Sequence, residues 1–263
     1  MKKKTKVKNF GVLNRRTKAF ILSGLVALAS FVVFGGRIGP FEHKGYISEI
    51  QQFLGSNTAK VETVKQADSG LYFSDGNSIP SYSGKQSIVI NDDKPYFEVY
   101  DLNTINTSHY FKYSGRDAYG RAQSAIATVS KADLVASETR KGIDLPDPAG
   151  WVGRSKGGIY DRSHLIAYTL GGKNDLDNLV TGTVSFNQKY MTEVEGDVRD
   201  YIKKTGRTVL YRVTPYYRGN ELLPIGVLME ASTGDGGFKR NRFVYNVQDG
   251  FEINYLNGQA KEK

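Results

Sequence analysis

Asp161-Arg162-Ser163-His164 is followed by Asn178 and Asn187, and then by Glu195 and Arg199 four residues apart. Each side chain suits one part of phosphodiester hydrolysis. A neutral imidazole at His164 titrates in the range needed to take a proton from water. The amide oxygen of Asn187 is a hard, uncharged ligand, which leaves most positions around a magnesium ion to water and phosphate. Such an ion would stabilise the crowded phosphate and the departing 3′-oxygen. Glu195 and Arg199, at i and i+4, share one helix face, where the carboxylate can orient a metal-bound water and the guanidinium can hold the phosphate. Asp161 fits a loop support or an outer partner of the metal. Arg162 fits a phosphate contact, and Asn178 a residue that orients a catalytic group.

Each of these residues also has a plainer reading. A lone histidine is more often a surface or core residue, and Asn187-Gln188 suits capping or solvation. Glu195 fits the third position of a capping box opened by Thr192, and its pairing with Arg199 could be a solvated ion pair worth about a few tenths of a kcal/mol. Arg162 can simply pair with an acid, and Asn178 can be a turn residue. Only their joint occurrence favours chemistry. With three histidines and no cysteine in the chain, the cluster has few competitors. Thiolate zinc sites and cysteine nucleophiles are excluded.

The elements that must position these groups read as α+β, a mainly antiparallel sheet with a few helices. Ser87 to Ile90, Ala122 to Val129, Thr208 to Thr214, Leu222 to Ala231 and Arg242 to Val247 have strand composition. Leu145 to Gly158, with two prolines and four glycines, reads as a long loop leading into the Asp161 motif. Asn174 to Asn178 reads as another loop. Thr192 opens a predicted helix whose buried stripe is Val194, Val198, Tyr201 and Ile202, and Gly206 marks its end. The motif is expected where a strand leaves the sheet and a helix crosses it.

Ahead of the domain, Ala19 to Gly36 is an uncharged run of 18 residues, close to a bilayer span. Residues 1–18 carry eight basic groups and no acid; the rest of the chain holds 28 basic against 27 acidic residues. The formal charge of +9 therefore belongs to the tail and is no sign of a nucleic-acid surface. The charge bias places the tail in the cytoplasm and the domain outside, whether the run is a membrane-spanning signal anchor or a cleaved secretory signal. The long basic region and the lack of a small-residue cleavage site favour the anchor. The expected division is a basic cytoplasmic tail at 1–18, a transmembrane anchor at 19–36, a stalk at 37–66 and a catalytic domain at 67–263. An exported domain without cysteine must be held by its core alone.

Taken together, the motif residues resemble the DNA/RNA non-specific endonucleases of the ββα-metal, or His-Me finger, superfamily. The likeness extends to the streptococcal membrane-anchored nucleases of DNA uptake and to secreted streptococcal DNases. The family's Asp-Arg-Gly-His stands here as Asp161-Arg162-Ser163-His164, and its Asn, Asn, Glu, Arg series as Asn178, Asn187, Glu195 and Arg199. Residues 79–97, Gly115 to Ala122 and Gly150-Trp151 are also similar to that subfamily, so the likeness spans roughly residues 75–232. It implies a ββα-metal motif, with His164 as general base and Asn187 as the one direct protein ligand of a single Mg²⁺, Mn²⁺ being the alternative. It further implies Glu195 as a partner of metal-bound water, Arg199 near the phosphate and Asn178 as support. DNA is the implied substrate, with RNA a second candidate, and a DNA-uptake machinery the implied partner. Ser163 departs from the usual glycine and would be costly if that position needed a positive φ. The connection from His164 to Asn178 is short. A non-catalytic surface receptor for nucleic acid on the same fold is the competing reading, and an adhesive surface protein a third; metal-dependent turnover separates the first from both.

Overall fold

The computed structural model describes residues 32–34, 37–39, 71–73, 76–98, 101, 103, 105, 109–140, 144–153 and 158–263. The chain divides into two units, residues 1–65 and 66–263. In the first, β1 (Val32–Phe34) pairs antiparallel with β2 (Arg37–Gly39). Val32 to Phe34 lie within the predicted anchor yet form a strand, in keeping with their β-branched and aromatic side chains. The rest of the anchor, the basic tail and nearly all of the stalk lie outside the described residues. Among those described, no helix is long and apolar enough to cross a membrane.

The second unit is built on a six-stranded antiparallel sheet. Its strands are β3 (Ser87–Val89), β4 (Phe111–Tyr113), β5 (Ala125–Val129), β8 (Val209–Tyr216), β9 (Gly226–Ser232) and β10 (Lys239–Tyr245). They lie in the order β3-β10-β9-β8-β5-β4. Alternation along the strands sends side chains to opposite faces. Val209, Tyr211 and Val213 of β8 join Val227, Met229 and Ala231 of β9 in one core, while Leu228 and Phe243 belong to a second with Phe73 and Ile79. On the sheet's second face Arg212 stands opposite Glu230 in register and donates to it at 2.7 Å. Glu230, 1% exposed, also accepts from the Tyr96 amide, which fastens the chain before β4 to the sheet.

Helix α1 (Thr192–Thr205) covers the first face through Val194, Val198 and Ile202, with Tyr201 stacked on Phe238. Burying each of the three aliphatic side chains contributes about 1.5–3 kcal/mol. The helix ends at Gly206, as its sequence predicts. Its start differs from the expected one. A π-helical stretch, Phe186–Met191, runs directly into α1, so Thr192 is inside a continuous helical segment and opens no capping box. Its hydroxyl instead bonds the Asn187 carbonyl at 2.9 Å. The segment's first amides are met from outside, Phe186 by the Thr183 hydroxyl and Ser185 by the Gln248 side chain.

The Asp161 motif is not on the main sheet. It forms β6 (Tyr160–His164), which pairs, among the described residues, with β7 (Leu179–Thr183) in a separate antiparallel ribbon. Leu165, Ile166 and Val180 of this ribbon and its turn pack into the same core as α1. A second ribbon joins β11 (Phe251–Ile253) to β12 (Ala260–Glu262). The expected α+β class, with a mainly antiparallel sheet, holds, and the two strands and helix around the motif have the ββα order.

Candidate active site

Strand β6 delivers His164 at its last residue, buried to 4% exposure. Nε2 of His164 lies 2.7 Å from Oδ1 of Asn174. An amide oxygen can only accept, so Nε2 carries the proton and a neutral ring keeps its lone pair at Nδ1. Asn174 had no signal in the sequence beyond being one polar residue of a polar turn.

Asn178, fully buried, spends its side chain on the backbone of the turn that follows His164. Its Oδ1 accepts from the Ile166 amide at 2.8 Å, and its Nδ2 donates to the carbonyls of Ile166 and Lys173 at 2.9 and 2.8 Å. One side chain thus clamps both ends of the turn that carries Asn174. The fit depends on Gly172, where any Cβ would run into the Ile166 carbonyl. Lys173 braces the same turn. Although burial alone would lower its pKa, Asp175 and Asp177 hold its ammonium above the ordinary value, with contacts of 3.0 and 3.2 Å.

Asp161, 3% exposed, accepts from Nδ2 of Asn187 at 3.1 Å and from Nε2 of Gln188 at 2.8 Å. The carboxylate commits the Asn187 amide nitrogen and so turns its oxygen away from β6. Ser163 has ordinary strand backbone and is not among the positive-φ residues, so its replacement of glycine carries no backbone strain. Its buried hydroxyl has no hydrogen-bond partner among the described residues and lies against the place a Cβ on Gly182 would take. Arg162 turns to Asp147, donating through Nε and Nη2 at 2.8 and 2.6 Å, and lies 4.7 Å over the Trp151 ring.

From α1, Glu195 and Arg199 reach the same place. His164, Asn187, Gln188, Glu195, Arg199 and Tyr168 line one cleft of about 300 Å³. Arg199 is about a third exposed, with Nε 3.3 Å from Asp200. Burial, reinforced by the charge of Glu195, pushes the Tyr211 phenol well above its ordinary pKa, so the carboxylate is felt inside the core. Of the residues singled out from the sequence, His164, Asn187, Glu195 and Arg199 converge. Asp161 supports one of them, and Asn178 and Arg162 stay outside the cleft. Among the described residues no three His, Asp or Glu side chains form a metal cage.

A buried imidazole, a positioned amide, a carboxylate and a guanidinium around one cleft can between them accept a proton, hold a cation and attract an anion. A model of the DNA/RNA non-specific endonuclease family matches residues 102–235, and the chain belongs to this family. A deoxyribonuclease of Streptococcus dysgalactiae subsp. equisimilis is 38% identical over 105 residues, covering 38% of this chain and 32% of that protein. The match thus spans about a third of that relative's length. Among solved structures, NucA from Streptococcus agalactiae with magnesium bound is 25% identical with a TM-score of 0.56, over 66% of this chain and 85% of that one. Sda1 nuclease with bound zinc is 28% identical with a TM-score of 0.50, over 59% and 82%.

Proposed function

We propose that the domain is a metal-dependent, sequence-non-specific endonuclease that hydrolyses extracellular DNA, with RNA as a second substrate. The observation that carries this reading is the convergence of His164, Asn187, Glu195 and Arg199 on one cleft from two separate elements. In this mechanism Nδ1 of His164 takes the proton of the attacking water as its oxygen bonds to phosphorus and the bond to the 3′-oxygen breaks. The Asn174 oxygen holds the imidazolium through Nε2–H. Arg199 attracts the phosphate, and Glu195 orients water.

The donor set suits a hard divalent ion. Asn187 supplies a neutral oxygen whose direction is set by Asp161, Glu195 supplies a nearby charge, and the rest of the coordination falls to water and phosphate, as Mg²⁺ favours. When bound, the ion stabilises the charge that builds on the phosphate and the departing oxygen. Mg²⁺ is the expected metal, with Mn²⁺ as substitute; NucA with magnesium and Sda1 with zinc are the relatives that bear on the choice. Recognition through phosphates carries no sequence information and weakens with salt.

The test is cleavage of closed circular plasmid by residues 37–263 with Mg²⁺, Mn²⁺, Zn²⁺ or EDTA, beside His164→Ala. Metal-dependent nicking that falls by about 100-fold or more in the variant is expected, the range for loss of a general base. A protein that binds the plasmid and leaves it intact with every metal would be a receptor and not a nuclease. We further assign residues 19–36 as a membrane anchor that holds the domain outside the cell, where it can pass strands to an uptake machinery.

A further inference from the structure

Asn187 is held from two sides. Asp161 on β6 takes its side-chain nitrogen, and Thr192 on α1 takes its backbone carbonyl, donating from the hydroxyl at 2.9 Å. The second contact has an uncommon reach. In a plain α-helix a threonine hydroxyl bonds back to a carbonyl three or four residues earlier. Here the carbonyl lies five residues earlier, across the π-helical stretch Phe186–Met191, and the wider turn brings it into range. At the same junction the Thr192 amide bonds the Lys189 carbonyl.

Thr192 is exposed and lines the cleft beside Asn187 and Glu195, so its side chain is not part of the core that holds α1. That work falls to Val194, Val198 and Ile202, which fix where the first turn of the helix stands. The hydroxyl bond then passes this position back to the Asn187 main chain, while Asp161 sets the direction of the amide. A side chain that binds a cation has to be held within about 0.5 Å of its productive place. One tether on the amide nitrogen leaves the backbone behind it free to shift; two tethers from separate elements do not.

We propose, on the reading of Asn187 as the metal ligand, that Thr192 is a positioning residue whose hydroxyl locks the π turn presenting the Asn187 amide oxygen to a divalent cation. The experiment is Mn²⁺ binding to the full chain in mild detergent, followed by loss of the free-ion paramagnetic resonance signal, beside the Mg²⁺ dependence of plasmid cleavage. Thr192→Val keeps the branched shape and removes the hydroxyl; Thr192→Ser keeps the hydroxyl. Thr192→Val should bind Mn²⁺ about tenfold more weakly, the usual effect of losing a ligand's supporting partner. It should need correspondingly more Mg²⁺ for half-maximal cleavage and melt near wild type. Thr192→Ser should match wild type in both assays, and Asn187→Ala should bind Mn²⁺ at least as poorly as Thr192→Val. If Asn187→Ala loses Mn²⁺ while Thr192→Val keeps it, the role of Thr192 is overturned and that of Asn187 stands. A Thr192→Ser variant as weak as Thr192→Val would equally overturn the role of the hydroxyl. If wild type binds no Mn²⁺, or Asn187→Ala binds it as well as wild type, both assignments fall.

Discussion

At the scale of single residues, the site depends on partners that hold the reacting groups more than on those groups alone. Asn174 fixes the ring of His164. Asn174→Ala is expected to lower cleavage by about 10–100-fold, the usual cost of losing a second-sphere partner. Asn174→Asp should move the pH–rate profile of His164 upward, because a carboxylate favours the imidazolium. A profile identical to wild type in both variants would rule out the contact as functional. Ser163 makes the opposite point. Its hydroxyl is buried and unmet among the described residues, so Ser163→Ala should leave the melting temperature unchanged or raise it, and a marked fall would mean that the hydroxyl has a partner. The four cleft residues were legible from spacing because each is chemically specific and rare in combination. Asn174 was not, since an asparagine in Gly-Lys-Asn-Asp has no feature that separates a histidine partner from a turn former.

At the scale of elements, the strands of the main sheet were legible because alternation and β-branching mark them. The strand that matters most was not. Tyr160 to His164 buries an aspartate, a serine and a histidine, against the pattern by which a strand is recognised, and the β7 ladder, the Asn187-Gln188 amides and Asn174 help make that burial tolerable. Functional strands break the binary pattern where chemistry needs polar groups inside. The turn from Leu165 to Asn178 is the second hidden element. Asn178→Ala removes three hydrogen bonds and leaves backbone groups of Ile166 and Lys173 unmet, at a cost of about 2–4 kcal/mol. Chemical denaturation should show that loss, together with reduced activity from a displaced His164 and Asn174. Full stability in this variant would mean that the turn is held by its other contacts.

At the scale of the whole molecule, charge segregates by position along the chain. The eight basic residues of 1–18 precede an apolar run, and the remainder is nearly balanced. The proposed anchor therefore leads to a definite expectation for cells expressing the intact chain. The protein should sediment with membranes, resist extraction by high salt, and be digested by protease added to intact cells. Recovery in the culture medium as a shortened chain would identify residues 19–36 as a cleaved leader instead. Within the domain, α1 is pinned to the sheet by Val194, Val198 and Ile202 and cannot rotate to correct an error at its start. The wide π-helical turns before it then act as a gear. In a plain α-helix, eight residues separate side chains by two turns and about 80°, which would carry Asn187 off the face of Glu195. Taking up one extra residue in a π turn reduces the offset to about 20°. The interval between the amide and the carboxylate is thus a counted angle, and one residue inserted into 188–191 would add about 100° and turn Asn187 out of the cleft while leaving every chemical group in the chain.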